Sequence, residues 1–254
     1  MEHREQALGP GKFLYAEPEN FMLQEVQSPA SYNAVIEAIA HGRPRPTEIA
    51  DATGLAAPNV SDYLKTLCEL GIVRRDTPVG KANKKQVAYR ISDGLFRFWH
   101  TFAPRYASAI EMGLGEKVAD RIAGRELSGY MGHAFEDACR EWTARAVAAG
   151  RFDMLPSAIG NWWGTDPAAR EQVDVDVVAL GADGELLAGE CKWTTEPVDA
   201  NVLETLEHRA DLVIDRPSRI DLVLFSKSGF TRGCENLAVD MGNVTLITPS
   251  SMLE

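Results

Sequence analysis

Val173-Asp174-Val175-Asp176-Val177-Val178-Ala179 and Leu186-Leu187-Ala188-Gly189-Glu190-Cys191-Lys192-Trp193 decide how this chain is read. Each run is short, rich in valine or leucine and bounded by turn formers, the pattern of a β-strand. Ala182-Asp183-Gly184-Glu185 lies between them, and an Asp-Gly dipeptide between two apolar runs signals a hairpin. Side chains alternate faces along a strand. Asp174 and Asp176 are therefore predicted to share one face, with Val173, Val175 and Val177 on the other. Glu190 and Lys192 share a face in the same way, opposite Cys191 and Trp193. Pairing the two strands sets the polar faces side by side, so carboxylates and one ammonium converge on an otherwise apolar sheet. Burying such groups is costly unless something compensates. A hard divalent cation held by carboxylate oxygens and water is one compensation; a salt-bridged solvent face is the plainer alternative.

At 254 residues the chain suits one large or two small domains, and 45% hydrophobic content is enough for real cores. No signal-type N-terminus and no run of about 18 apolar residues stands out, so a soluble, cytoplasmic protein without a membrane partner is expected. Cys68, Cys139, Cys191 and Cys234 are far apart in sequence. They read as reduced, mostly buried thiols rather than a zinc site or a disulfide frame. The five histidines show no paired ligand spacing, and His133, near Glu136, reads as a surface or cap residue.

The net charge of −11 argues against a general polyanion-coating protein, because nucleic-acid affinity relies on Lys and Arg meeting phosphates. Charge is uneven, however. Residues 30–90 hold nine basic side chains (Arg43, Arg45, Lys65, Arg74, Arg75, Lys81, Lys84, Lys85, Arg90) against six acidic ones (Glu37, Glu48, Asp51, Asp62, Glu69, Asp76), a net of +3 that leaves −14 for the rest.

That basic region has its own pattern. Residues 1–27 read as an N-terminal tail, in which Gly9-Pro-Gly-Lys12 lacks the Ser/Thr of a phosphate loop and reads as a turn. Ser28-Pro29 starts a helix that ends at Gly42; Thr47 is expected to cap a short second helix, Glu48 to Ala52. Pro58 opens a third, with Val60, Leu64, Leu67 and Leu70 inward and Gly71 as terminator. Ile72–Arg75 and Gln86–Ile91 then form a hairpin whose loop carries Lys81, Lys84 and Lys85. Three helices and a basic hairpin over residues 28–92 make a winged helix-turn-helix. Its third helix is the one that enters a DNA major groove in such folds, presenting Asn59, Ser61, Asp62, Lys65 and Thr66. The wing lysines suit backbone phosphates, contacts that position without reading sequence.

Residues 93–130 read as a helical linker: an aromatic packing segment with Phe96, Phe98, Trp99 and Phe102, then a glycine-interrupted helix from Tyr106 to Leu127. Gly132 to Ala149 is a second clear helix, with Phe135, Cys139, Trp142 and Ala146 on its buried face and Glu136 four residues before Arg140. A strand at 159–163, the central hairpin, a helix at 198–213, a strand at 220–226, another helix and a last strand at 244–247 follow. The order is helix, three strands, helix, strand, helix, strand, an α/β sandwich of α+β or α/β class with its site at the sheet.

Glu136 on the first helix, Asp176 on the second strand and Glu190-x-Lys192 on the third make residues 131–254 resemble the PD-(D/E)XK nuclease superfamily, with an αβββαβ sandwich. A wider resemblance rests on Tyr63-Leu-Lys-Thr-Leu-Cys-Glu-Leu-Gly-Ile-Val73, Phe96-Arg-Phe-Trp99, Ile159-Gly-Asn-Trp-Trp-Gly164, Gly189-Glu-Cys-Lys-Trp193 and Phe225-Ser-Lys-Ser-Gly-Phe230. With these the chain is similar to the C-terminal half of the archaeal-type AAA-family ATPases that end in a nuclease-like domain. It departs from them in lacking the P-loop ATPase module, so ATP hydrolysis is not carried over, and an ATPase acting in trans, or lost from this chain, is the implied partner. The resemblance implies a DNA-binding, Mg²⁺-dependent (or Mn²⁺-dependent) phosphodiesterase. Asp176, Glu190 and Glu136 would bind the metal, with the Cys191 carbonyl as a further ligand. Lys192 would orient or deprotonate the attacking water and offset phosphate charge, Asp174 would hold a second metal or stand in the outer shell, and Lys227 is a weaker candidate for phosphate contact. A catalytically inactive DNA-binding or scaffold module, and a structural partner of an ATPase, are the competing readings. An oligomer is left open.

Overall fold

The computed structural model describes Gly9, residues 13–80 and residues 87–253. It divides into two compact units, one of residues 1–76 and 84–126, the other of residues 77–83 and 127–254.

The first unit carries helices α1 (Phe13–Glu25), α2 (Pro29–Ala40), α3 (Pro46–Thr53) and α4 (Ala57–Glu69), then strands β1 (Val73–Asp76) and β2 (Ala88–Ile91). The strands pair antiparallel, Val73 opposite Ile91. Val35, Ile36, Ile49, Val60, Leu64, Leu67, Ile72, Val73 and Ile91 close one core. This is a helix-turn-helix with a wing. The second helix begins one residue before Thr47, with Arg45 at the N-cap and Pro46 in the first turn. The Glu48 carboxylate accepts the Arg45 N–H at 3.1 Å, so the helix start is fixed from Arg45 and Pro46 and not by the Thr47 hydroxyl that was expected to cap it.

The aromatic packing segment is helical and continues past Pro104. Asp93 accepts the Phe96 N–H at 2.9 Å and starts α5 (Gly94–Glu111), which runs straight through Pro104. Proline removes one helix hydrogen bond, but Phe96, His100, Phe102, Ala103 and Ile110 lie buried along this helix, and that burial outweighs the loss. After α6 (Gly115–Arg121) a π-turn spans Ile122–Glu126.

His100 is 2% exposed, and its Nε2 has no hydrogen-bond partner among the described residues. Burial, and then His41, lower its pKa to about 4. The folded value lies below the unfolded one, so the stability it contributes is present above about pH 6.5 and is lost as pH falls toward 4. His100→Leu is therefore expected to flatten the acid limb of the stability profile, gaining about 2 kcal/mol over the parent at pH 5, read by urea denaturation at pH 5 and 7.5. An equal difference at both pH values would remove this account.

The second unit is a mixed five-stranded sheet between helices. Its helix α7 (Leu127–Ala148) begins five residues earlier than the glycine at 132 suggested. Strands β3 (Pro156–Asp166), β4 (Glu171–Gly181), β5 (Glu185–Lys192), β6 (Arg219–Ser226) and β7 (Val244–Ile247) lie side by side in that order. The first three are antiparallel, and β5, β6 and β7 run parallel. The expected hairpin forms with Val177 opposite Gly189 and Leu180 opposite Leu186, turning at Gly184, whose φ of 85° suits glycine.

Alternation sorts the core into two layers. Val177, Ala179, Leu187, Val223 and Phe225 face Phe135, Cys139, Trp142 and Ala146 of α7. Val178, Leu186, Ala188, Leu222 and Leu224 face α8 (Ala200–Val213) and α9 (Arg232–Met241) through Leu203, Leu206, Ala210, Cys234 and Ala238. Val79 also belongs to this unit: its N–H donates to the Asn161 carbonyl at 3.0 Å. Gly160 leaves room for it, since a Cβ there would lie 2.8 Å from a Val79 methyl. Among the described residues no helix is long and apolar enough to cross a membrane.

Candidate active site

Three elements of the second unit bring the acidic residues together. β4 and β5 place Asp176 and Glu190 on neighbouring strands one step past the Val177–Gly189 pair. The helix α7 adds Glu136, Asp137 and Arg140 from one side; α8 adds Arg209 from the other.

Beside Asp176 the sheet falls out of step. Gly160 pairs with Val178, but Trp162 pairs with Val175, so β4 carries one extra residue there. Val175 consequently packs into the layer under α8 and Val177 into the layer under α7. The expectation that Val175 and Val177 share a face, with Asp174 and Asp176 together on the other, is corrected by this bulge. Bulges re-aim side chains and concentrate next to active sites.

Asp176 Oδ2 accepts the Cys191 N–H at 2.9 Å. Lys192 Nζ donates to Glu190 Oε1 at 2.6 Å, and Glu190 Oε2 lies 3.6 Å from Arg209 Nη1. Arg209 also donates to the Asp174 carbonyl at 3.1 Å. From α7, Arg140 donates to the Asp176 carbonyl at 2.9 Å and to Asp137 at 2.5 Å. The expected Glu136–Arg140 pair is present at 3.8 Å. His133, exposed as anticipated, also reaches Glu136, with Nδ1 3.1 Å from Oε1.

The electrostatics follow from this crowding. Burial, then Glu190 and Glu136, and more weakly Asp174, push the Asp176 carboxyl up to about 7, against the opposing Cys191 N–H. Burial by itself would lower Lys192, but Glu190 and Asp176 outweigh it and hold the ammonium above the ordinary lysine range. Burial and Cys139 raise the Cys191 thiol well above the usual range, so it is inert at neutral pH.

Among the described residues no three or more His, Cys, Asp or Glu side chains stand in metal-ligating geometry; Glu136 and Asp137 face Arg140, Glu190 faces Lys192 and Arg209, Asp174 faces Arg209, and Asp176 meets the Cys191 N–H. Fully ionised, Glu136, Asp137, Asp174, Asp176 and Glu190 exceed those three cations by two negative charges. Asp176 Oδ1 carries no hydrogen bond among the described residues. The donor set is oxygen-only, the ligand chemistry that hard divalent cations take.

The remaining sequence-predicted residues lie elsewhere. Asp174 is mostly exposed. Lys227 Nζ sits 5.0 Å over the Trp193 ring. In the first unit Asn59, Ser61, Asp62 and Lys65 are exposed on α4, with Ser61 donating to the Ala57 carbonyl and Lys65 3.9 Å from Glu69. Lys81, Lys84 and Lys85 lie outside the described residues. Sequence reasoning missed Arg209, whose only local signal was a basic residue next to the apolar Leu206–Ala210 face of its helix.

Comparison with known proteins bears on both units. A profile described as "IclR helix-turn-helix domain" matches residues 34–77. The family DUF234, "Archaea bacterial proteins of unknown function", matches residues 99–205, taking in Glu136, Asp176, Glu190 and Lys192 and ending short of Arg209. The chain is 28% identical over 183 residues to the uncharacterized protein MJECL04 of Methanocaldococcus jannaschii, covering 71% of this chain and 40% of that protein. It thus spans about two fifths of the length of that curated relative. Among solved structures, protein VC1899 from Vibrio cholerae is similar at 14% identity and a TM-score of 0.34, over 94% of this chain and 52% of that one. The O-methyltransferase NcsB1 from neocarzinostatin biosynthesis is similar at 15% identity and a TM-score of 0.24, over 92% and 66%. The chain therefore carries an IclR-type helix-turn-helix ahead of a segment similar to DUF234.

Proposed function

We propose that the second unit is a nuclease of PD-(D/E)XK type, dependent on Mg²⁺ or Mn²⁺, and that the winged helix delivers it to DNA. One observation carries the reading: Asp176, buried and facing Glu190 and Glu136 from a neighbouring strand and a helix, has its carboxyl raised by that burial and then by those charges to about 7, and the Lys192 ammonium holds Glu190 at 2.6 Å. An arrangement that destabilises itself when ionised is the usual mark of a functional site.

Asp176, Glu190 and Glu136 would hold the cation, with the Cys191 carbonyl as a further ligand. Bound there, the cation supplies Lewis acidity and a water of lowered pKa. The chain's own groups do the rest. Lys192 stays an ammonium while Glu190 faces it, so it orients the attacking water and offsets phosphate charge, and is a poor base. Arg140, through the Asp176 carbonyl, keeps the bulge in place. On the first unit Asn59, Ser61 and Lys65 suit base edges and phosphates of a major groove, and the wing lysines Lys81, Lys84 and Lys85 suit the backbone. An inactive DNA-binding scaffold that serves an ATPase is the second reading. The ion pairs that occupy Glu190 favour it.

The test is cleavage of linear and supercoiled DNA with Mg²⁺ or Mn²⁺. Lys192→Ala is expected to lower the rate by roughly a hundredfold or more, as losing one polarising group in a hydrolytic site does, with the circular-dichroism spectrum unchanged. Wild-type protein that shifts DNA in a gel yet takes up no cation in calorimetry would leave the scaffold reading in its place.

A further inference from the structure

We propose that Arg209 is the phosphate-positioning arginine of this site and, until a cation arrives, that cation's stand-in beside Glu190. The inference rests on the hydrolytic reading above and extends it to a residue outside the recognised carboxylate–lysine set.

Glu190 is neutralised from both ends. Lys192 takes Oε1 at 2.6 Å, a true hydrogen bond, whereas Arg209 Nη1 stands 3.6 Å from Oε2. The second distance is beyond hydrogen-bonding range, so it is a Coulombic contact that a divalent ion can displace. Among the described residues the hydrogen bond and ion pairs of Arg209 run through Nη1, which donates to the Asp174 carbonyl at 3.1 Å and lies 4.0 Å from Asp174 Oδ1. Its Nε and Nη2 carry no hydrogen bond among the described residues, and its side chain is 24% exposed. A guanidinium has five N–H donors in a planar fork that fits a phosphate on two oxygens. Arg140 differs, committed to Asp137, Glu136 and the Asp176 carbonyl.

The helix holds Arg209 in place. Leu203, Leu206, Ala210 and Val213 bury one face of α8 against the sheet, which leaves position 209 at the rim of that face. Next to it, His208 Nε2 lies 2.7 Å from Asp166 Oδ2, and Asp166 is itself held by the Ala168 and Ala169 N–H groups. With a cation on Glu190, Arg209 would leave its Coulombic contact, and its unused donors would turn to the substrate's phosphate oxygens.

The experiment titrates Mn²⁺ into the full chain by calorimetry, wild type against Arg209→Gln and Arg209→Lys, and measures DNA cleavage at saturating Mn²⁺. Arg209→Gln is expected to bind Mn²⁺ roughly fivefold more tightly, because a competing charge is gone, while kcat falls roughly tenfold or more. Arg209→Lys keeps the competing charge and loses the fork, so its Mn²⁺ affinity stays at the wild-type value while kcat still falls. A gain in cation affinity is not something a damaged fold produces. If wild type takes up Mn²⁺ and Arg209→Gln takes it no more tightly, or kcat is unchanged, the role of Arg209 is overturned and the hydrolytic reading stands. If neither protein takes up Mn²⁺, both fall together.

Discussion

At pH 8 in the presence of a chelator, Asp176→Asn is expected to melt several degrees above the parent protein, and with Mg²⁺ supplied in place of the chelator to cleave DNA on the order of a thousandfold more slowly. The two effects have one origin. Burial, Glu190 and Glu136 raise the Asp176 carboxyl to about 7, above its unfolded value. A raised folded pKa contributes stability that is fully present below about pH 4 and is lost as pH climbs through 7. At pH 8 Asp176 is ionised among like charges, at a cost of roughly 2–4 kcal/mol. Asparagine keeps an oxygen for the Cys191 N–H and carries no charge. The advantage should shrink to less than half at pH 5, where folded Asp176 is protonated but its unfolded counterpart is not, and shrink in saturating Mg²⁺, which neutralises the parent site. Melting curves at pH 5 and 8, with and without cation, check it; a variant less stable than the parent at pH 8 would show that the carboxylates do not crowd one another in solution.

Phe225→Ala is expected to cost about 3–5 kcal/mol, enough to consume much of a typical domain's stability. Phe225 is fully buried at the centre of the layer under α7. It meets Trp142 edge-on, with ring centroids 5.5 Å apart, and pairs in register with Cys191 beside the site. The ring also fills the space over Gly189, where an added Cβ would come within 3.3 Å of it. Removing the ring opens a cavity between α7 and the strand that carries Glu190, so Glu136 and Glu190 lose their common frame. Urea denaturation followed by tryptophan fluorescence measures the loss. A change under about 1 kcal/mol would mean that α7 does not depend on this contact.

Much of the architecture is legible in local pattern. The winged helix follows from the apolar spacing of Val60, Leu64 and Leu67 and from the Gly71 stop. The central hairpin follows from Asp183-Gly184 between two apolar runs, and the two-sided core follows from alternation in Leu222, Val223, Leu224 and Phe225. Periodicity reports which face a residue takes, because each face must find an apolar partner. Pattern misled where a longer-range interaction outweighed a local one. Pro104 sits inside a helix because the buried aromatics around it hold that helix, and Glu48 rather than Thr47 completes the cap of α3.

The candidate site divides along the same line. That Glu136, Asp176, Glu190 and Lys192 are the candidates was readable, because charged residues set in apolar runs are costly and so call for a reason. What surrounds them was not. The bulge at Asp176 depends on how β3 registers against β4, the ion pairs of Arg140 on α7 packing against the sheet, and the approach of Arg209 on a helix arriving after a separate connection. Register and helix docking are set by contacts between segments distant in sequence, so no local window contains them, and only the folded chain decided which cations the carboxylates meet.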